Sequence, residues 1–277
     1  MMVRVARKLL AIVAIFLAST CSVFCQETGF LNRSVRIDNT EYRYQVYVPQ
    51  DFRQARSWPV ILALHGGGQY GRDGISQTDL GLARAVRRHP ERFPSIIVFP
   101  QIPPDGTPGF QGLGERIALA ELDASVAEFK GDRTRIYLTG LSMGGNGAWS
   151  LAYRHADRFA AVVVACGFVG EFTGRQSGIR YPALVPASVD DPYAAIAQRV
   201  SHLPIWIFHG DADPTVPVDV SRHMAAALKA VNADVQYTEL PGIGHNAWDP
   251  AYEREDLFIW LFKQVKKQDP LSDPIVE

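Results

Sequence analysis

The sequence has little that would indicate a disulfide scaffold, a nucleic-acid-binding protein or a membrane-spanning protein. It contains 3 cysteines in 277 residues, and Cys21 and Cys25 both lie near the amino terminus. The net charge is −1 at pH 7 without a long basic run, so nucleic acid is not expected as a partner. The apolar run at 9–18 is about half as long as a membrane-spanning helix requires. No stable membrane span is therefore predicted.

The amino terminus has the pattern of a signal peptide. Arg4, Arg7 and Lys8 precede the apolar run, and small and polar residues follow it. That order is typical of an export signal that is removed from the mature protein. We predict cleavage after Cys25, so that residues 1–25 are the signal peptide and the protein is secreted or periplasmic. The residues before Cys21 match a lipoprotein signal poorly, and a lipoprotein is not expected. Cys166 would then be the one cysteine left, without a partner for an internal disulfide.

After the signal, short apolar runs alternate with helical patterns. Residues 31–37 and 42–48 alternate around an Asp-Asn turn, which predicts an antiparallel hairpin. Further strands are predicted at 60–64, 96–99, 136–138, 161–165, 205–208 and 235–240. Most of these are continuously apolar, as expected for a mostly parallel sheet with helices on both faces. The predicted fold class is α/β.

Helical stripes are predicted along residues 119–129 and 257–265. No internal repeat and no long linker divides the chain, so residues 26–277 are predicted to form one domain. The connection at 167–201 is unusually long and is rich in glycine, proline and aromatic residues. It is a candidate for a partial cap over the site.

A candidate nucleophile lies between a predicted strand and a predicted helix. The motif Gly-Leu-Ser-Met-Gly at 140–144 places Ser142 on this turn, where small residues let strand and helix approach closely. An ordinary turn would explain the motif alone, but not its position. This context predicts a nucleophile elbow.

A serine hydroxyl needs a base, and in this fold class an acid and then a histidine follow the serine along the chain. His245, in the glycine-rich loop at 241–248, suits the role of base. His202 and His209 flank the strand at 205–208 and precede the candidate acids, so neither is assigned a role. Two aspartates, Asp211 and Asp213, compete as the acid that orients the histidine. Asp213 is favoured, although the local sequence alone does not separate the two.

The oxyanion that forms during attack requires backbone N–H donors. Met143 follows the nucleophile and supplies the first. The glycine-rich stretch at 65–69 follows the strand at 60–64, so Gly67, or Gly66, supplies the second.

Together these motifs resemble those of the phospholipase/carboxylesterase group of α/β-hydrolases, which adjoins prolyl-oligopeptidase-like and polyhydroxybutyrate-depolymerase-like esterases. The motifs are His-Gly-Gly-Gly at 65–68, 140–144, His-Gly-x-x-Asp-x-x-Val-Pro at 209–217 and Gly-His-Asn-Ala-Trp-Asp at 244–249. The resemblance implies an α/β-hydrolase fold, supports Asp213 over Asp211, and implies no metal and no organic cofactor. The sequence departs from the group at Phe110, where tryptophan is common. Phe110 and Trp248 are expected to border the substrate pocket.

The predicted function is hydrolysis of carboxylic esters through an acyl-enzyme, with Ser142, Asp213 and His245 as the triad. Short-chain, aromatic or plant-polymer-linked esters are the expected substrates. A peptidase or amidase of the prolyl-oligopeptidase type is the alternative within enzymes. A binding protein that kept the fold and lost the chemistry is the alternative of another class. The sequence leaves the oligomeric state open.

Overall fold

The computed structural model describes residues 27–174 and 178–266, so the predicted signal peptide lies outside the described residues. The described strands are β1 (Gly29–Ile37), β2 (Thr40–Val48), β3 (Trp58–Leu64), β4 (Ile96–Phe99), β5 (Gly131–Leu141), β6 (Ala161–Ala165), β7 (Phe172–Thr173), β8 (Arg180–Tyr181), β9 (Ile205–Gly210) and β10 (Val235–Leu240). The helices are α1 (Leu82–Arg88), α2 (Leu113–Glu128), α3 (Met143–Arg154), α4 (Pro192–Val200), α5 (Asp219–Ala230), α6 (Trp248–Tyr252) and α7 (Glu255–Leu261). Across these two described ranges, no helix combines the length and the apolar character needed to cross a bilayer.

Eight of the strands form one sheet in the order β1-β2-β4-β3-β5-β6-β9-β10. The β1 and β2 strands pair antiparallel, as predicted, and Asp38 and Asn39 turn between them with positive φ angles of 47° and 63°. Strand β2 also runs antiparallel to β4, whereas the remaining strands of this sheet, β4, β3, β5, β6, β9 and β10, are parallel to one another. The predicted mostly parallel sheet with an amino-terminal hairpin is confirmed.

Both faces of the sheet are buried, because successive residues of its inner strands belong to two different clusters of apolar side chains. In β3, Val60, Leu62 and Leu64 pack into one cluster with residues of α2, α3, α4 and α5. Ile61 and Ala63 point the other way and pack with residues of α1, α6 and α7. This two-sided burial is why the strands are continuously apolar rather than alternating.

Two helical predictions differ in their outcome. The stripe along 119–129 lies on α2, where Leu122 and Val126 are buried. The last helix was predicted to reach residue 265, but α7 ends at Leu261 and Val265 is 57% exposed. The chain leaves the helix in a tight turn, in which the amides of Lys263 and Gln264 donate to carbonyls three residues before them, and the Lys266 amide then donates to the carbonyl of Thr134 on β5.

The parallel strands bring several connecting loops to one edge of the sheet. Because β3, β5, β6, β9 and β10 run in the same direction, the loops that follow their carboxyl ends meet there. These loops contain each residue predicted to act in the chemistry. The connection at 167–201, which follows β6, adds the two-stranded pair β7-β8 to this region and then continues into helix α4, which packs against α3 and α5.

Candidate active site

Ser142 lies on a sharp turn between β5 and α3. Its φ angle is 53°, a left-handed conformation that is unusual for a residue with a side chain. Its amide donates to the carbonyl of Ala165, and its carbonyl accepts from the amide of Asn146, so both ends of the turn are fixed. A β-carbon on Gly140 would meet the backbone of Gly144, which explains why the turn requires glycine there. The predicted strand-to-helix elbow is present in the structure.

The structure brings Ser142 and His245 together although they are 103 residues apart in the chain. Ser142 Oγ and His245 Nε2 are 2.8 Å apart, and His245 Nδ1 lies 2.7 Å from Asp213 Oδ2. The carboxylate can only accept, so Nδ1 carries the proton in the neutral ring. Nε2 is then free to accept the proton of the Ser142 hydroxyl. This arrangement can activate the serine as a nucleophile.

The Asp213 side chain has no exposed surface and is surrounded by hydrogen-bond donors. Burial by itself raises its pKa, but hydrogen bonds from His209, His245 and two backbone amides outweigh burial and hold the pKa well below its ordinary value. The amides belong to Thr215 and Val216, at 2.7 Å and 3.0 Å from Oδ1. Asp213 is therefore an ionised carboxylate in the folded protein.

Asp211, the competing aspartate, has a different environment. It is exposed, and its Oδ1 accepts a 2.6 Å hydrogen bond from the amide of Gly242. This contact links the loop after β9 to the turn after β10. Asp211 therefore stabilises a turn, while Asp213 contacts the imidazole.

The loop after β3 lies on the opposite side of Ser142 from these residues. His65 is buried at the start of this loop, where Nδ1 donates to the carbonyl of Gly66 at 2.7 Å and Nε2 accepts from the amide of Ile102 at 3.0 Å. Burial lowers the pKa of His65 to about 4, so the ring is neutral at pH 7. These two bonds hold the loop that carries Gly67, and Gly67 and Met143 both line the cavity beside Ser142.

The cavity at Ser142 has a volume of about 440 Å³, within the range of small-molecule sites. One wall is aromatic: the rings of Phe168 and Phe172 are 4.6 Å apart, and Tyr181 meets Phe168 edge-on at 5.5 Å. Phe172 and Tyr181 are neighbours across the β7-β8 pair. The lining residues are Gly67, Gly68, Ser142, Met143, Phe168, Phe172, Gly174, Tyr181, Pro214, Thr215 and His245.

A family model described as the prolyl oligopeptidase family matches residues 118–268, which is more than half of the chain. The chain belongs to the prolyl oligopeptidase family. The match begins in α2 and covers the Ser142 elbow, the Asp213 loop and the His245 loop. The resemblance predicted from the motifs is thereby confirmed at the level of the α/β-hydrolase, carboxylesterase-type superfamily.

Proteins with named activities are similar to this family member over different shares of its length. A stretch of 56 residues is 34% identical to acyl-protein thioesterase 1 of Gibberella zeae, covering 20% of this chain and 24% of that protein. The crystal structure of a thermostable esterase is similar over 85% of this chain and 63% of its own, with 27% identity and a TM-score of 0.71. A ferulic acid esterase from Anaeromyces mucronatus, solved with ferulic acid, has 18% identity and a TM-score of 0.62 over 86% of this chain and 92% of its own. This last likeness concerns the fold alone.

In this prolyl oligopeptidase family member, the two residues predicted to border the pocket lie elsewhere. Phe110 does not line the cavity: it is fully buried, with its ring edge-on to His65 at 5.2 Å and its side chain against Gly147. Trp248 is not a lining residue either and packs edge-on against the ring of His245 at 5.4 Å. Phe110 thus packs against His65 and Trp248 packs against His245, and each ring contacts a residue of the site without lining the cavity.

Several residues that shape the cavity were not predicted from the sequence. Phe168, Phe172 and Tyr181 come from the 167–201 connection, whose aromatic content was the one signal for them. Pro214 and Thr215 follow Asp213 and were not singled out. His209, to which no role was assigned, lies with its Nε2 3.2 Å from Asp213 Oδ2.

Three side chains of the site could in principle hold a metal ion. Ligand atoms of Cys166, Asp213 and His245 lie within 4.8 Å of one another. Metal binding to cysteine requires the thiolate, but burial raises the pKa of the Cys166 thiol far above its usual range. The Cys166 thiol donates to the carbonyl of His245, and His245 Nδ1 is bonded to Asp213. Hydrogen bonding accounts for this cluster.

Proposed function

We propose that the protein is a serine hydrolase that cleaves carboxylic esters through an acyl-enzyme. The observation that carries the proposal is the continuous hydrogen-bonded chain from Ser142 through His245 to Asp213, with its serine end open to the cavity. A nucleophile bonded to a base that is itself oriented by a third group is the arrangement that activates a serine hydroxyl. The similar thermostable esterase and acyl-protein thioesterase 1 are named for ester and thioester chemistry, which supports the same reaction class.

In the proposed reaction, Ser142 Oγ attacks the ester carbonyl while its proton passes to His245 Nε2. Asp213 stabilises the resulting imidazolium. The amides of Met143 and Gly67 donate to the oxyanion of the tetrahedral intermediate. His245 then returns the proton to the departing alcohol, and the acyl group remains on Ser142. Water, deprotonated by His245, releases the acid and restores the free serine.

We further propose that the acyl group is aromatic. The wall formed by Phe168, Phe172 and Tyr181 offers flat apolar surfaces and ring edges, which are suited to offset or edge-on packing with another ring. A feruloyl-type acyl group has the shape and chemistry to use them. The fold is shared with a protein named as a ferulic acid esterase. The basic start and the apolar run at 9–18 support export of the enzyme to extracellular or periplasmic esters.

The proposal is tested with Ser142→Ala and an ester panel that contains p-nitrophenyl acetate and methyl ferulate. We expect turnover of both esters to fall on the order of a million-fold in Ser142→Ala. The matched control is Ser150→Ala, because Ser150 is a buried serine on the following helix with no hydrogen-bond partner for its hydroxyl among the described residues. That variant should keep full activity. Near wild-type turnover by Ser142→Ala would disprove the assignment of the nucleophile.

Cleavage of peptide bonds is the second candidate, because the family that includes this chain is named for oligopeptidases. Proline-containing peptide amides assayed beside the esters separate the two activities. We expect kcat/KM for methyl ferulate to exceed that for the peptide amides, and the opposite order would favour the peptidase. Labelling of Ser142 by a fluorophosphonate probe tests for an active nucleophile independently of any substrate. A folded protein that is not labelled would be a binding protein rather than an enzyme.

A further inference from the structure

His209 lies at the end of β9 and is the second histidine that contacts Asp213. Its side chain has no exposed surface. Its Nε2 lies 3.0 Å from the carbonyl of Val216 and 3.2 Å from Asp213 Oδ2. Both partners can only accept, so Nε2 carries a proton and is shared between them. Asp213 Oδ2 is therefore contacted by two imidazoles, one from His245 and one from His209.

The other nitrogen of the ring is bound by a residue of helix α5. His209 Nδ1 and Ser221 Oγ are 2.7 Å apart, and Ser221 is buried. In the neutral ring Nδ1 is an acceptor, so the Ser221 hydroxyl donates to it and selects the tautomer that has its proton on Nε2. The hydrogen bonds then run in one direction, from Ser221 through His209 to the carboxylate.

We propose that His209, held by Ser221, is a positioning residue that fixes Asp213 Oδ2 against His245 and shares the negative charge of the carboxylate. The inference rests on the proposed function, since it concerns the residue that orients the base. Without His209, the carboxylate would face the His245 imidazolium with one fewer competing donor. The imidazolium would be stabilised more strongly and the base would release its proton less readily.

Other ionisable groups near this pair are already engaged. The Cys166 thiol on the β6 side donates to the carbonyl of His245, and burial keeps it protonated. Glu239 on β10 is bonded to Arg222 of α5, and mainly that contact lowers the pKa of Glu239 to about 2. Asp211 is exposed and bonded to the amide of Gly242. Ser221 of α5 is thus connected to Asp213 through His209.

The test compares His209→Met with His209→Gln. The two side chains have similar length and volume, but only glutamine has an N–H donor to offer to Asp213. For His209→Met we expect kcat/KM to fall about tenfold to a hundredfold, as for loss of one hydrogen bond to a buried charge. The loss should lie in kcat rather than KM, and the acid limb of the rate profile should move to higher pH. His209→Gln should restore most of the rate, and Ser221→Ala should shift the profile in the same direction by less.

The pH dependence is measured in two ways: as turnover of p-nitrophenyl acetate and as the rate at which a fluorophosphonate probe labels Ser142. Both rates are divided by the concentration of sites that the probe can label. His223→Gln is the matched control, because His223 is an exposed histidine on α5 and should leave the profile unchanged. If His209→Met is labelled with the wild-type pH profile, His209 is structural only and the inference is wrong. If the wild-type protein is not labelled at all, the proposed function fails first, so the two failures are distinguishable.

Discussion

Asn146 Nδ2 donates a hydrogen bond of 2.9 Å to the carbonyl of Phe168. Asn146 is buried on α3, one turn after Ser142, and Phe168 belongs to the aromatic wall of the cavity. Gln111 donates both to Asn146 Oδ1 and to the carbonyl of Pro182, each at 3.2 Å. Helix α3, which follows Ser142, is thus tied directly to the segment that lines the cavity.

The first prediction follows from this tie. Asn146→Ala leaves the Phe168 carbonyl without this donor and removes one of the two acceptors of the Gln111 amide, which should lower the free energy of unfolding by about 1–3 kcal/mol. Because Phe168 loses its anchor, we expect KM for methyl ferulate to rise about tenfold, while KM for p-nitrophenyl acetate changes little. Urea unfolding and steady-state kinetics measure the two effects. Ser150→Ala, on the same helix, should change neither, and an equal rise of KM for both esters would disprove the link to the aromatic wall.

The second prediction concerns the close approach of α3 to β3. A β-carbon on Gly144 would overlap the backbone carbonyl of Leu64 and lie 2.6 Å from that of His65. Backbone atoms cannot move aside as a flexible side chain can, so Gly144→Ala should yield little soluble protein or a loss of several kcal/mol, which is exceptional for one methyl group. Gly170→Ala is the control, since nothing lies within 4 Å of its added carbon. Thermal unfolding of the two variants checks the difference.

The third prediction is a pH dependence of stability caused by His65. Its pKa in the folded protein is lowered to about 4, against about 6.5 in the unfolded chain. Between these values the unfolded state binds the proton and the folded state does not, so stability falls as pH falls through this window. The full effect is about 3 kcal/mol. Comparing urea unfolding of wild type and His65→Gln, we expect the variant to lose less stability from neutral pH to about pH 4.

The control for that measurement is the exposed His223, whose replacement by glutamine should leave the pH dependence as in wild type. A His65→Gln curve parallel to the wild-type curve would show that His65 contributes nothing to acid sensitivity.

The fourth prediction has the opposite sign and comes from Glu121. This side chain is fully buried on α2, and neither carboxyl oxygen has a hydrogen-bond partner among the described residues. Burial raises its pKa well above 4.5. The folded state therefore keeps a proton that the unfolded chain loses, and stability falls as pH rises above the unfolded value. Glu121→Gln should be more stable than wild type by a margin that grows with pH, as followed by thermal unfolding; a margin independent of pH would contradict the prediction.

Much of the fold follows from local sequence, because the spacing of apolar residues reflects which positions of each helix or strand are buried. The continuous apolar runs predicted β4 and β6 with the observed bounds, the segment at 235–240 predicted β10, and the Asp-Asn turn predicted the hairpin of β1 and β2. The strand-to-helix motif predicted the turn at Ser142. Local sequence did not place the end of α7, because the apolar spacing continues to Val265 whereas the chain turns after Leu261 and then bonds through Lys266 to the distant Thr134.

The sequence by itself determined the order of the chemical groups, namely a glycine-rich loop, an elbow serine, an aspartate and a loop histidine. Only the tertiary structure decided which side chains meet. The spacing along the chain does not predict that His209 contacts Asp213 or that Phe110 is buried against His65. Nor does it predict that Phe172 and Tyr181 of the β7-β8 pair line the cavity. These contacts arise where loops from separate parallel strands converge at one edge of the sheet, and their geometry depends on packing between segments distant in sequence. The elbow could be predicted from five consecutive residues, whereas the pocket depends on contacts between distant ones.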